Sequence, residues 1–416
     1  MKNDIIIIGI HQSHVGANAG GYIRLIEFIK FIPRDFNFKI IDLYPTIYDN
    51  NLQKKQIRTY TQPRIIYILL KKFFVLGVLS ERIYSAIQAY KISCSIIEKE
   101  SISVIYVPIG EFLHLYLPAI LLKRKYPHIK LVVDILNFKV YKDNFILILK
   151  SYISKSNNYI FSIATALVSY ISFKIVQITI NTVDFVYTVS PRLIEEIKQI
   201  YKRNTIDFTP SGVTFHPNKA KIIKRYAGVY VGRVTEQKGI FNLIQVWKEV
   251  VKLKPEARLI IAGLITPETT KEVNEKIKMY NLTENVELKG SVTEKEKFKI
   301  IAESQIFLHL ANYEPLFPVI GILEGLTSGL PVAVYNMPAV SEELKKIDKN
   351  NFIYVINNKE IRETALMIIE ILSLNKLRKE EIALNARHYA AKYDWSKISK
   401  IEWDVISSLN IQKEHN

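Results

Sequence analysis

Short uninterrupted apolar runs alternate along this chain with stretches whose apolar positions recur every three or four residues. Val229, Tyr230 and Val231 end in Gly232, and Ile240, Leu243, Ile244 and Trp247 follow at helical spacing. Ile306, Phe307, Leu308 and Leu310 form another such run, and Leu330 to Val334 the next. Apolar runs without polar alternation are the mark of parallel strands covered on both faces. The same pattern predicts strands at Ile5–Ile8, Phe38–Leu43, Val104–Val107, Leu131–Val133 and Phe185–Val189, and in the second half near residues 229, 259, 286, 306 and 332. A helix bearing Ile23, Ile26 and Ile29 follows the first strand and stops at Pro33. The fold class is therefore α/β, built of repeated strand–helix units.

Two stretches depart from this rhythm. Pro63 to Tyr84 interleaves basic and apolar residues and predicts a helix with Lys71, Lys72 and Arg82 beside a broad apolar face. That suits an anionic membrane surface. Ser156 to Phe173 carries no charge, a length near the lower limit for a membrane span. Its serines, threonine and asparagines fit a buried or interfacial helix better, so we read it as part of a helical insert at about 141–182 that does not cross a bilayer.

A chain of 416 residues with 49% hydrophobic content can bury two ordinary cores, so two domains are expected. The single cysteine, Cys94, excludes an internal disulfide and points to a reducing, cytoplasmic setting. Ile5–Ile8 is too short for a signal peptide. The net charge is +17, of which about +12 falls before residue 213. No nucleic-acid-binding module accompanies it, so an anionic membrane surface is the expected partner, not nucleic acid.

Candidate chemistry lies in the second half. YVGRVTEQKG, Tyr230 to Gly239, places Gly232 and the cations Arg233 and Lys238 between a strand and a helix. In open α/β sheets ligands sit at this turn, and helix N-terminal amides add to the positive field. The pair alone reads equally as an exposed basic turn. NYEPLFPVIGILEG, from Asn312, then puts Glu314 in a loop, Pro318 in the first turn of a helix with Val319 at its entrance, and Glu324 within the helix. Carboxylates so placed can accept hydrogen bonds from vicinal hydroxyls. Gly321 and Gly325 leave a bare helix face for close approach of a backbone or a ligand. In the first half, Gly16, Gly20 and Gly21 form a loop before the first helix, and His114 follows a strand end at Gly110. A plain flexible loop explains the glycines as well as binding does, and a satisfied structural histidine explains His114 better than a ligand contact does. His11 and His14 do not have convincing metal-site spacing, and no metal is expected.

These segments resemble glycosyltransferase family 4, the retaining, nucleotide-sugar-dependent enzymes of GT-B architecture, in which two Rossmann-like domains face a central cleft. KLVVDILNF, VDFVYTVSPRLIEEI, PSGV, ARLIIAG, NVELKGSVTEKE and ARHYAAKYDWSKI extend the resemblance in order over most of the chain. It implies an acceptor-binding domain at 1–212, a nucleotide-sugar-binding domain at 213–393, and a segment 394–416 that crosses back to the first. It implies that Arg233 and Lys238 bind the donor diphosphate, that Glu314 serves the transferred sugar and Glu324 the ribose, and that Gly20, Gly21, Gly232 and Val319 line the donor site. Gly16 and His114 are acceptor-side candidates. No permanently bound cofactor is implied. The implied activity is transfer of a sugar from a nucleoside diphosphate sugar to a lipid-linked or growing glycan acceptor, at the inner face of a membrane. Other GT-B activities, such as a nucleotide-sugar epimerase or a phosphorylase, and a catalytically silent nucleotide-sugar- or glycan-binding member of a complex, are the alternatives.

The chain departs from the family in one place that matters. The family's two glutamates are usually eight residues apart, and here they are ten apart, with Leu316 at the usual position and Leu316, Phe317 and Pro318 where a glycine is common. Either the loop carries two extra residues and still delivers Glu314, or the first carboxylate role is vacant. Loops absorb small insertions cheaply, which favours the former. Ser211 also replaces an asparagine typical of the inter-domain segment.

Overall fold

The computed structural model of the protein describes residues 3–8, 20–34, 36–41, 57–58, 63–110, 112–136, 144–153, 159–215, 223–312, 314, 318–345, 351–357 and 360–411. The chain divides into two compact units, Met1–Pro210 with Ile398–Asn416, and Ser211–Lys397.

The first unit contains β1 (Asn3–Ile8), α1 (Gly20–Lys30), β2 (Phe36–Ile41), β3 (Ile57–Arg58), α2 (Arg64–Lys72), α3 (Phe74–Ile97), β4 (Ile102–Val107), α4 (Leu113–Lys125), β5 (Lys130–Ile135), α5 (Phe145–Ile153), α6 (Tyr159–Thr179), β6 (Phe185–Thr188), α7 (Pro191–Lys198) and β7 (Ile206–Phe208). Its strands form one parallel sheet in the order β3-β2-β1-β4-β5-β6-β7. Ile5 to Ile8 are wholly buried, as an uninterrupted apolar run in a two-sided sheet requires. The helix expected after the first strand begins at Gly20, so Gly20 and Gly21 are its first residues and not part of the preceding loop. Gly16, His11 and His14 lie outside the described residues. The helical insert is a pair, α5 and α6, between the neighbouring parallel strands β5 and β6.

The second unit contains β8 (Tyr226–Val231), α8 (Ile240–Leu253), β9 (Leu259–Ala262), α9 (Pro267–Met279), β10 (Val286–Gly290), α10 (Glu294–Ala302), β11 (Ser304–His309), α11 (Ile320–Thr327), β12 (Val332–Tyr335), α12 (Pro338–Leu344), β13 (Ile353–Ile356), α13 (Ile361–Ser373) and α14 (Lys376–Ala390). Its parallel sheet runs β10-β9-β8-β11-β12-β13. Ile306 and Leu308 of β11 join the core shared with α8 and α13, and Phe307 joins the opposite core with α11 and α14. Both faces are thus covered. Strand order reverses between β8 and β11, which makes the carboxyl ends of these two strands the topological switch point where ligands bind in open α/β sheets.

A last helix, α15 (Trp395–Ile411), begins in the second unit and belongs to the first from Ile398 onward. Within the first unit it inserts Glu402 and Trp403 against α1. Trp403 packs on Phe28 at 5.4 Å and Phe36 at 5.9 Å, and its indole N–H donates to the Phe28 carbonyl at 3.2 Å. Beside it Arg24 pairs with Glu402, lies 3.6 Å from Asp134, and donates to the Pro210 carbonyl at 2.9 Å. Tyr106 donates to Asp134 at 2.7 Å and to Glu402 at 3.3 Å. Arg24, Tyr106, Asp134 and Glu402 are all buried. Burial pushes the Asp134 carboxyl up to about 6, against the pull of Arg24 and the Tyr106 hydrogen bond, and pushes Glu402 well above the usual carboxylate range.

Candidate functional site

The end of β8 leads into a short turn that carries the two cations. Tyr230, buried in the sheet, donates its hydroxyl proton to the Arg233 carbonyl at 2.7 Å and braces the turn from below, leaving the Arg233 side chain exposed. Glu236–Lys238 form a single 3-10 turn, and Gly239 follows at φ +75° as the residue before α8. A side chain at Gly239 would collide with the Leu310 carbonyl, so glycine is required twice over, for its backbone angle and for this close approach. The approach is reinforced by hydrogen bonds from the Asn312 amide to the Gln237 carbonyl at 3.1 Å and from the Asn312 side chain to the Glu236 carbonyl at 3.2 Å. The β8 turn and the segment after β11 are thereby held side by side.

That juxtaposition brings Lys238 onto Glu314. The ammonium pairs with Glu314 Oε1, and the same oxygen receives a hydrogen bond from His309 Nε2 at 2.9 Å. Glu314 and His309 are both buried. Burial pushes the Glu314 carboxyl upward, but the hydrogen bond and electrostatic pull of His309, together with the Lys238 ammonium, outweigh it and hold the group below the ordinary value. Glu314 is therefore an anion with Oε1 committed, and among the described residues Oε2 accepts no hydrogen bond. The neighbouring Tyr313 and 315–317 lie outside the described residues, so the course of the longer loop does too.

Val319 is the residue before α11 and Pro318 precedes it, one step outside the helix and not in the first turn as expected. Val319 supplies no side-chain cap to this helix start. Gly321 and Gly325 face the sheet: a Cβ at Gly321 would stand 3.0 Å from the Val231 carbonyl, and one at Gly325 would stand 2.8 Å from the Phe307 ring. The bare face expected to admit a backbone or a ligand admits β8 and β11. Glu324 is buried on the same helix and accepts from Lys297 Nζ at 2.5 Å, with Lys297 also 2.9 Å from Glu294. Burial raises the Glu324 carboxyl while Lys297 pulls it down, and Lys297 itself is held above the ordinary lysine value against burial by Glu324 and Glu294.

The structure thus gathers Lys238 and Glu314 directly, with Gly232 and Arg233 on the same turn and Val319 and Glu324 on α11. His114, in the first unit, is buried in the first turn of α4 and stacks on Phe112 at 5.7 Å. Among the described residues no group of three metal-ligating side chains occurs. Sequence reasoning missed His309 and Lys297. His309 interrupts an apolar strand, which was a visible signal, and Lys297 follows the capping box formed by Thr293 and Glu296, which starts α10.

Residues 214–388 match the family model of glycosyl transferases group 1. The chain is 36% identical over 104 residues to an uncharacterised glycosyltransferase of Methanocaldococcus jannaschii, a match covering 25% of this chain and 24% of that protein. Over 187 residues it is 22% identical to a GDP-mannose:cellobiosyl-diphosphopolyprenol alpha-mannosyltransferase of Xanthomonas oryzae pv. oryzae, covering 42% of this chain and 48% of that one. The matches thus span less than half the length of either relative. In three dimensions the chain superposes on HepE of Anabaena in complex with UDP and glucose with a TM-score of 0.66 at 16% identity, covering 98% of this chain and 100% of that one. The fold is that of the GT-B glycosyltransferases.

Proposed function

We propose that the protein is a retaining, metal-independent glycosyltransferase that moves a hexose from a nucleoside diphosphate sugar to a lipid-linked or growing glycan acceptor. The observation that carries this reading is Glu314, buried and ionised between Lys238 and His309 at the carboxyl ends of β8 and β11. Arg233 and Lys238 would hold the diphosphate and stabilise charge on the leaving oxygen, with the uncapped amides after Val319 beside them. Glu314 would hold the transferred sugar and Glu324 the ribose, the donor's hydroxyls taking up carboxylate oxygens. In the first unit Gly20, Gly21, Gly16 and His114 remain donor- and acceptor-side candidates on the family resemblance. Solved neighbours with UDP-glucose and a relative named for GDP-mannose favour a uridine or guanosine donor. A thermal-shift series with uridine, guanosine and adenosine diphosphates and their sugars tests this. Ligand at 100 times its dissociation constant should add about 2.7 kcal/mol of stability, and a protein stabilised by none of them is not a nucleotide-sugar enzyme.

The acceptor side of the proposal places the protein on the cytoplasmic face of an anionic membrane. Ile160, Ile163, Leu167, Ile171 and Ile178 form an exposed stripe along α6, beside exposed Ile146 and Leu147 on α5. Residues Ser162–Thr182 are long and apolar enough to span a bilayer, but α5 is only 9 residues long and both flanking strands lie in one sheet, which supports docking in the interface over crossing. The expected basic helix is a pair, α2 and α3. Lys72 and Lys150 are exposed, whereas Arg82 is half-buried, with burial lowering its pKa, and is not a surface cation; the side chain of Lys71 lies outside the described residues. Replacing Lys72 and Lys150 with glutamine should weaken binding to anionic vesicles roughly 30-fold, at about 1 kcal/mol per charge. Equal binding of the parent to neutral and anionic vesicles would sink the membrane assignment.

A further inference from the structure

β11 is apolar from Ile306 to Leu308 and ends in His309, whose backbone is fixed in register with Val334 of β12. The imidazole is buried, with 4% of its surface exposed, and its Nδ1 makes no hydrogen bond among the described residues. A carboxylate can only accept, so Nε2 carries a proton and donates it to Glu314 Oε1 at 2.9 Å. Burying a ring nitrogen without a partner is unfavourable, and an aliphatic or aromatic side chain would fill this strand end at lower cost. The return on the histidine is therefore at Glu314. That carboxylate is the one that stands ten residues before Glu324 where the family pattern has eight.

We propose that His309 is a positioning residue, which with Lys238 fixes Glu314 Oε1 so that Oε2 is presented to the transferred sugar despite the lengthened loop; this rests on the donor-site reading above. Anchoring comes from His309 on β11 and from Lys238 in the braced turn after β8. The ring does not touch the diphosphate or ribose contacts of that reading, so its loss should be felt in turnover and not in nucleotide binding.

Kinetics and calorimetry on the full chain test this. His309→Phe, which keeps volume and removes the donor, should lower kcat about 10²-fold, the scale of a small misplacement of a reacting group. Its affinity for the free nucleoside diphosphate should stay within about 3-fold of the parent, since uniform binding is untouched. His309→Gln puts an N–H at the reach of Nε2 and should recover at least about 10-fold of the loss, whereas His309→Asn, too short to reach Glu314, should not. The double variant His309→Phe/Glu314→Gln should be no slower than Glu314→Gln alone by more than about 3-fold, because residues acting as a unit are not additive. Full turnover in His309→Phe, a parallel loss of nucleotide affinity, or additive losses in the double variant would each overturn the proposal. Should His309→Phe not fold, the contrast between the glutamine and asparagine variants decides it, equal rates overturning it. Failure of the donor-site reading looks different: the parent is then stabilised by no nucleotide sugar, and both readings fall together before any variant is compared.

Discussion

Lys238→Ala is expected to lower turnover about 10²- to 10³-fold, the loss typical of removing one preorganised donor from a developing negative charge. Lys238 sits in the Glu236–Lys238 turn, half-buried against Glu314, so its removal should leave the sheet and both covering cores intact. Two further variants separate the roles of the glutamates. Glu314→Gln keeps the shape and removes the charge, and it should reduce kcat far more than it reduces affinity for free nucleoside diphosphate. Glu324→Gln should do the reverse, because ribose contacts exist with or without the sugar, and a lost hydrogen bond to a charged group costs about 1.5–3 kcal/mol. Turnover assays with the sugar donor and calorimetry with the nucleotide read the two effects apart. A fully active Glu314→Gln variant would mean that the sugar carboxylate is supplied from elsewhere. A parent that binds donors but never turns them over would favour the catalytically silent alternative.

Arg24→Met is expected to destabilise the first unit by about 3–5 kcal/mol near neutral pH, the usual cost of leaving buried charges without their partner. Among the described residues Arg24 is the one cation that faces this cluster, with Glu402 from α15, Asp134 from β5, Tyr106 from β4 and Tyr187 from β6 around it. Asp134 at about 6 and Glu402 above the usual range both hold their protons in the folded chain where the unfolded chain has released them. The stability these two carboxyls contribute is therefore full below about pH 4, the ordinary carboxylate value, and is lost as pH rises through their folded values. Removing Arg24 raises both further. The deficit of the variant should be smallest near pH 4 and grow toward pH 8, as measured by urea unfolding at each pH. A deficit that stays constant across that range would assign the loss to packing of the side chain's stem and not to its charge.

The pattern of apolar runs was enough to place the strands, since a residue buried on both faces of a parallel sheet has no room for polar alternation. Ile5–Ile8 and Ile306–Leu308 are read directly from that rule. Element starts were less legible. Gly20 and Gly21 look like loop residues because glycine has poor helix propensity, yet the helix begins on them, and Pro318 looks like a first-turn residue yet stands one step outside. Arg82 shows the limit of reading a helix face by composition: its charge suggested solvent, but the side chain is half-buried, and burial lowers its pKa against the pull of the neighbouring Glu81.

The sequence by itself determined the α/β class, the strand–helix turn bearing Arg233 and Lys238, and the presence of two acidic residues flanking a helix start. These are local properties, set by periodicity and by residues close together in the chain. Only the tertiary structure decided what the acidic residues touch. Lys238 meets Glu314 across 76 residues, and Lys297 meets Glu324 across 27, because β8 and β11 are neighbours in the sheet and α10 and α11 cover one face of it. His309 acquires its significance in the same way, as a polar residue in an apolar strand whose partner is fixed by a turn on the adjacent strand. The ionisation of these groups follows from that geometry, since burial and opposite charge act in opposite directions and only the distances say which prevails.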